Sequence, residues 1–210
     1  MKLQIIAGSV RSARNAGPVL AWAERAARRH VGFDEVEVLD LRDWNLPVFD
    51  EPPASVVAEP AYSSDLLRAW NETIAAGDAY IFVTPEYNHG IPGGLKNAID
   101  SVYGSFAFRH KPAGFLGYSV GPIAAARAVE HLTSVAVEME LVPLRDTVLI
   151  PFVATAFDDN GGPTNGLSEL ALQILLDDLG WWGPLLKTAR RDQLAPGVAR
   201  FVAGMQAVAT

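Results

Sequence analysis

The sequence predicts a doubly wound α/β fold, a parallel sheet with helices on both faces. Three observations predict it. Short apolar runs alternate with longer segments of helical periodicity, the order that parallel strands joined by crossover helices require. Those runs are almost continuously apolar, as strands covered on both faces are. The loops after the first, third and fourth runs are rich in Gly, Pro, Ser or Arg, and such folds bind ligands outside the carboxyl ends of their strands.

The elements follow in order. Residues 2–7 form an apolar run ending at Gly8-Ser9, a first strand. Val19, Trp22, Ala23, Ala26 and Ala27 recur at helical spacing, and Arg25, Arg28 and Arg29 stand toward the helix end, where cations suit the dipole. Residues 36–41 read as a second strand, and the prolines at 47, 52, 53 and 60 make 45–60 an irregular loop. A helix over 64–76 closes at Gly77. Residues 79–83 are the clearest strand, stopped by Thr84-Pro85, and Leu95, Ala98, Ile99 and Val102 mark a helix opened by Pro92 or Gly93. A fourth strand spans 113–119, a long helix 122–140 and a fifth strand 148–150. Further helices are predicted over 166–179 and 196–208, with Gly180-Trp181-Trp182-Gly183-Pro184 as a break. The paired tryptophans point to packing or a subunit contact.

A chain of 210 residues without repeat, linker or low-complexity tract is expected to be a single domain over 1–210. Its formal charge of −7 and pI near 5.0 argue against nucleic acid or an anionic membrane as a principal partner. The absence of cysteine excludes disulfides, thiolate nucleophiles and Cys-based metal sites. No secretory or membrane-spanning run is visible, so a cytoplasmic location is expected. His30, His89, His110 and His131 are scattered without metal-ligand spacing.

The first loop, Gly8-Ser9-Val10-Arg11-Ser12-Ala13-Arg14-Asn15, lies between a strand and a helix N-terminus, where free amides and the dipole favour an anion. Hydroxyls at Ser9 and Ser12, the Asn15 amide and the guanidinium forks of Arg11 and Arg14 suit a phosphate. Neither a G-x-G-x-x-G nor a G-x-x-x-x-G-K-[ST] pattern occurs, which points to a monophosphate held by side chains. The third loop runs from Thr84 through Pro85-Glu86-Tyr87-Asn88 to Pro92-Gly93-Gly94. Its prolines and glycines fix an unusual path that can present amides to a flat heterocycle beside the Tyr87 wall, or serve only as a rigid turn. The small residues of the fourth, Tyr118-Ser119-Val120-Gly121-Pro122, either let a ligand approach the backbone or make a plain strand-to-helix turn.

At these loops together the sequence resembles the NADPH-dependent FMN reductase family, with its flavodoxin-like doubly wound sheet of five parallel strands. The resemblance rests on Gly-Ser-x-Arg-x-x-Arg at 8–14, on Pro85-Glu86-Tyr87-Asn88, on Pro92-x-x-Leu95-Lys96-Asn97-Ala98-Ile99-Asp100, on Lys111-Pro112 and on Ala126-Arg127-Ala128. It covers roughly the first 150 residues; Ala124-Ala125 stand where small glycines often occur, and the aromatic-rich tail after Pro151 matches poorly. The resemblance implies that Ser9, Arg11 and Arg14, helped by Ser12 or Asn15, hold the FMN phosphate. It implies that Pro85, Glu86, Tyr87 and Asn88 line the isoalloxazine edge and that Ser119 and Gly121 flank the ring. It further implies NADPH or NADH as co-substrate, a small-molecule electron acceptor, and a homodimer or homotetramer. No catalytic side chain is assigned, because the cofactor carries the hydride chemistry.

Tyr103, Phe106 and Phe108 are expected at the subunit contact near the flavin, the alternative being that they pack within the monomer, and Arg109-His110-Lys111 either greet the NADPH 2′-phosphate or form a solvated loop. A flavodoxin-type electron carrier, and an FMN-free interaction protein, are the alternatives. The arginine-bearing phosphate loop and the Pro85–Asn88 run weigh against both.

Overall fold

The computed structural model describes residues 1–50 and 62–208. Strand β1 (Lys2–Ala7) lies between β2 (Glu35–Asp40) and β3 (Ala79–Pro85), and β4 (Pro112–Tyr118) continues the sheet beyond β3. All these pairings are parallel. The outer edge of β4 is shared by two short strands: β5 (Val142–Pro143) pairs with Pro112 and Ala113, and β6 (Val148–Ile150) with Leu116 to Tyr118. The expected fifth strand is therefore two segments. Pro143 lacks an amide, which only an edge position tolerates, and Arg145-Asp146 separate it from the apolar run.

Helices cover both faces. On one, α1 (Ala16–Arg29) and α6 (Gly166–Asp192) pack Val19, Trp22, Leu172 and Leu175 on Leu3, Ile5, Ile81 and Leu116. On the other, α3 (Asp65–Ala76), α4 (Gly93–Asp100) and α5 (Ala126–Glu138) pack Trp70, Ile74, Leu95 and Leu132 on Ile6, Phe82 and Phe115. Successive residues of β1 and β3 enter opposite cores, which is why these strands are apolar without alternation. Phe108 is fully buried against Tyr80 and Phe82, so it packs within its own chain and not at the expected subunit contact.

Several boundaries differ from the sequence expectation. Helix α6 runs unbroken through residues 180–184 with Pro184 inside it. Its glycines permit close approach: a Cβ on Gly180 would stand 3.1 Å from the His30 ring, and one on Gly183 would collide with the Met1 side chain. Tertiary packing thus overrides weak helix propensity. Helix α5 begins at Ala126 and not at 122, because Ala124 and Ala125 take φ of 55° and 66°, outside the right-handed helical region. Leu41 leaves β2 to open a one-turn helix, α2 (Leu41–Trp44), where the Asp40 carboxylate accepts the Arg42 amide. Gly77 follows α3 with φ −71°, so it supplies space and not a left-handed turn: a Cβ there would press on Gln4 and come within 2.9 Å of Tyr80. The expected loop at 45–60 falls partly outside the described residues.

Candidate cofactor site

The carboxyl ends of β1, β3 and β4 meet the N-terminus of α1 at one edge of the sheet, and the loops there are locked together. A Cβ on Gly8 would lie 2.8 Å from Leu95 Cδ2, and one on Gly94 3.0 Å from Val10 Cγ1. The Ser9 and Tyr87 hydroxyls share a 2.6 Å hydrogen bond. The motif after β3 therefore buttresses the loop after β1. Asn97 extends the bracing: its Nδ2 donates to the Pro47 carbonyl at 2.8 Å, and its Oδ1 accepts from the Phe49 amide at 2.7 Å.

Tyr87 owes its position to a tight reverse turn. Its amide donates to the Gly90 carbonyl at 3.0 Å and the Gly90 amide returns a bond at 3.1 Å. The residues between, Asn88 and His89, both have positive φ, 51° and 68°, as a type I′ turn demands. Strain of this kind, greater for His than for Asn, is characteristic of ligand sites. The ring so held carries the Arg11 guanidinium, whose carbon is 5.7 Å from the ring centroid.

Arg11 and Arg14 face different ways. Arg11, Ser12 and Asn15 are exposed at the start of α1, and Asn15 forms no side-chain cap, leaving the first-turn amides to meet an incoming anion. Arg14 lies behind the loop. Its Nη1 donates to the Ser9 carbonyl at 2.6 Å and to Asp40 Oδ1 at 2.6 Å, and its Nη2 pairs with Asp40 Oδ2. The hydrogen bond from Arg14 holds the Asp40 carboxyl below its usual range against the opposing effect of burial.

Between these groups lies a cleft of about 160 Å³ bounded by Arg11, Asn15, Pro85, Tyr87, Tyr118 and Ser119. The Tyr118 hydroxyl is buried beside Ser9 yet makes no well-formed hydrogen bond. Burial, then the neighbouring Tyr87, push its pKa up, so it remains a neutral donor. Ser119 turns the chain after β4: its Oγ donates to the Gly121 carbonyl at 2.9 Å, its amide to the Ile150 carbonyl at 3.1 Å. Glu86 points away toward α5. Burial would raise its pKa, but Arg127 Nε at 2.6 Å and the amides of Arg127 and Ala128 outweigh that and keep it below the usual range.

All the residues singled out in the sequence, Ser9 to Asn15, Pro85 to Asn88, Ser119 and Gly121, belong to loops or strand ends at this edge. Asp40, Asn97, Tyr118 and Arg127 complete it without having been assigned a role. The sequence named the last three inside motifs but gave no sign of their partners. Arg109, His110 and Lys111 precede β4 and lie at the opposite edge, so they do not greet a nicotinamide cofactor here. Arg109 binds Glu140 at 2.5 Å and stacks on Phe106. Lys111 is buried, donating to the Ile74 and Ala75 carbonyls at the end of α3 and to the Tyr80 hydroxyl.

A larger cavity of about 480 Å³ lies between α1 and α6, away from the strand ends. Of the polar groups lining it, Trp22 donates to Glu169 at 2.8 Å and His30 pairs with Asp177 at 3.0 Å. Among the described residues no group of three or more His, Cys, Asp or Glu is placed to hold a metal ion, and no helix is long and apolar enough to cross a membrane.

A doubly wound parallel sheet whose first loop joins an uncapped helix N-terminus to an exposed arginine defines a nucleotide-binding protein of the flavodoxin-like class. Residues 1–155 match the NADPH-dependent FMN reductase family, and the chain belongs to it. It is 39% identical over 158 residues to an NAD(P)H-dependent FMN reductase of Nectria sp, covering 73% of this chain and 76% of that one. To a 2-hydroxy-1,4-benzoquinone reductase of Burkholderia sp it is 28% identical over 186 residues, 87% of this chain and 96% of the other. Among solved structures it resembles FerB, a flavoenzyme NAD(P)H:(acceptor) oxidoreductase of Paracoccus denitrificans, with a TM-score of 0.67, 24% identity, and coverage of 86% and 96%.

Proposed function

We propose that this chain is a single-domain, cytoplasmic oxidoreductase that binds FMN in the cleft at the β1, β3 and β4 ends. It takes hydride from NADPH or NADH and passes electrons to a small acceptor such as a quinone or free flavin. One observation carries the reading: the uncapped N-terminus of α1, with Arg11 exposed beside it, opens on a cleft into which a buried Tyr118 hydroxyl brings a donor without a well-formed bond. That donor set fits a monoanionic or dianionic phosphate with a polar chain behind it.

Bound there, FMN supplies the hydride-accepting and hydride-donating chemistry. The chain's own residues bind and orient. Arg11, Ser12, Asn15 and the first amides of α1 hold the phosphate. Arg14 contributes through the Ser9 carbonyl and Asp40, fixing the loop's shape. Pro85, Tyr87 and Asn88 border the ring, with Ser119 and Gly121 at its other side, and Glu86 ties that border to α5. No side chain is required to move a proton during hydride transfer, so positioning is the protein's contribution. We further propose a homodimer with Tyr103 and Phe106 near the subunit contact.

The test is NADPH consumption with a benzoquinone acceptor, with and without added FMN. FMN-dependent turnover that falls in Arg11→Ala through weaker FMN binding, by about ten- to a hundredfold for one lost charge-assisted bond, is expected. Turnover indifferent to FMN would overturn the reading.

A further inference from the structure

Helices α1 and α6 lie side by side on one face of the sheet and are tied at two levels. Trp22 Nε1 donates to Glu169 at 2.8 Å; eight residues further along each segment, His30 Nε2 meets Asp177 at 3.0 Å. His30 Nδ1 accepts the Gly32 amide at 3.1 Å, so Nε2 carries the proton and donates to Asp177. Eight residues of helix span ~12 Å. Between the two ties α1 presents the small side chain of Ala26, and the space left there is the cavity of about 480 Å³. Sites for small organic ligands have volumes of ~300–1,000 Å³.

The charges around this space are unevenly satisfied. Glu169 has both oxygens engaged, Oε2 by Trp22 and Oε1 by Gln173 at 3.3 Å. Asp177 is bonded to His30 and is 76% exposed to water. Arg25 and Arg29 line the α1 wall four residues apart. Their neighbour Arg28 has a carboxylate at that spacing, Glu24 at 2.7 Å, whereas Arg29 has Arg25. Like charges so placed on a helix repel. Arg29 meets no acceptor among the described residues. Arg25 Nη2 donates to the Gly161 carbonyl at 2.6 Å, while its Nε and Nη1 meet none among them. Gly161 has a φ of 72°, which favours glycine, and a Cβ there would lie 3.4 Å from Arg25 Nη1. The turn thus fixes Arg25 and leaves its other donors free.

We infer that this cavity binds a mid-sized organic anion, its carboxylate between Arg25 and Arg29 and its apolar body against Trp22, Ala26 and Leu176. Guanidinium forks take a carboxylate through paired bonds, and an anion between the two arginines removes their repulsion. Trp22 and Leu176, rooted in the core, supply an apolar floor. Inorganic phosphate would satisfy the arginines and leave most of the volume unused. The cavity is distinct from the flavin cleft, since α1 turns its N-terminus to that cleft and lines this one with its C-terminal half. The inference does not depend on FMN.

Isothermal titration of the FMN-loaded protein with naphthoate tests it, with neutral naphthamide and inorganic phosphate as comparisons. Naphthoate is expected to bind at a single site per chain, and the other two more weakly by roughly tenfold or more. Arg29→Gln, at an exposed position, should weaken naphthoate by roughly ten- to a hundredfold, the worth of one charge-assisted bond. Gln173→Phe puts a ring into the space from an exposed position of α6 and should abolish binding. Circular dichroism and the visible spectrum verify that both variants are folded and loaded. Absence of heat at millimolar naphthoate, or binding that neither variant weakens, overturns the inference. So does heat that NADP⁺ abolishes, which would place naphthoate at the flavin, and so does phosphate binding as tightly as naphthoate.

Discussion

Arg11 and Arg14 are three residues apart, both carry the charge that a phosphate loop needs, and the fold uses them differently. Arg14 and Asp40 form an ion pair with side chains 9% and 18% exposed, joining the end of β2 to the loop after β1. Breaking a fully buried pair costs about 3–5 kcal/mol; with Asp40 partly open to water, Asp40→Asn should cost about 2 kcal/mol by urea denaturation. Arg11→Ala should leave stability within about 0.5 kcal/mol, as exposed positions do. Equal stability losses in the two variants would show that Arg14 is no strut. The sequence made the charge of this loop legible and left its geometry hidden. Arg14's partner is 26 residues away, and nothing in local spacing names it. The loop from Pro85 to Gly94 was legible for the opposite reason, since its prolines, glycines and polar residues are local constraints on the backbone.

At the scale of elements, strands and core faces follow from apolar runs because burial on both sides leaves a continuous signature. Residues 180–184 mislead because glycine and proline are read as breakers when their neighbours are unknown. In α6, Gly183 is where Met1 crosses the helix. Alanine is intrinsically the better helix former by about 1 kcal/mol, yet Gly183→Ala should lower stability by about 1–3 kcal/mol through overpacking. A rise in the urea midpoint would mean that Met1 yields freely. Strand β5 escaped for a similar reason, being two residues long and ending in Pro143, with its partner Pro112–Ala113 fixed by the sheet alone.

At the scale of the whole molecule, the two edges of the sheet are specialised, the carboxyl ends for the ligand and the amino ends for holding α3 and α6. Lys111 caps the end of α3 from the latter edge, and burial, then the nearby Arg190, lower its pKa from 10.5 to about 7. The unfolded chain therefore holds a proton between about pH 7 and 10.5 that the folded chain has released. Stability from this group rises with pH across that window. Above about pH 10, Tyr80, whose pKa burial raises, reverses the trend, because only the unfolded phenol ionises readily. Urea midpoints from pH 7 to 10 should rise more in the wild type than in Lys111→Met. Parallel profiles would assign Lys111 an ordinary pKa.

The carboxyl edge carries the central claim, that this cleft admits a nicotinamide to a bound flavin and then yields to an acceptor. Anaerobic titration of the FMN-loaded protein with NADPH, followed at the visible flavin band, tests it most directly. The account predicts bleaching within the mixing time or seconds and recovery of the band when a benzoquinone is added. A band that NADPH and NADH both leave intact for minutes, while dithionite bleaches it, would contradict the account and make the chain an electron carrier.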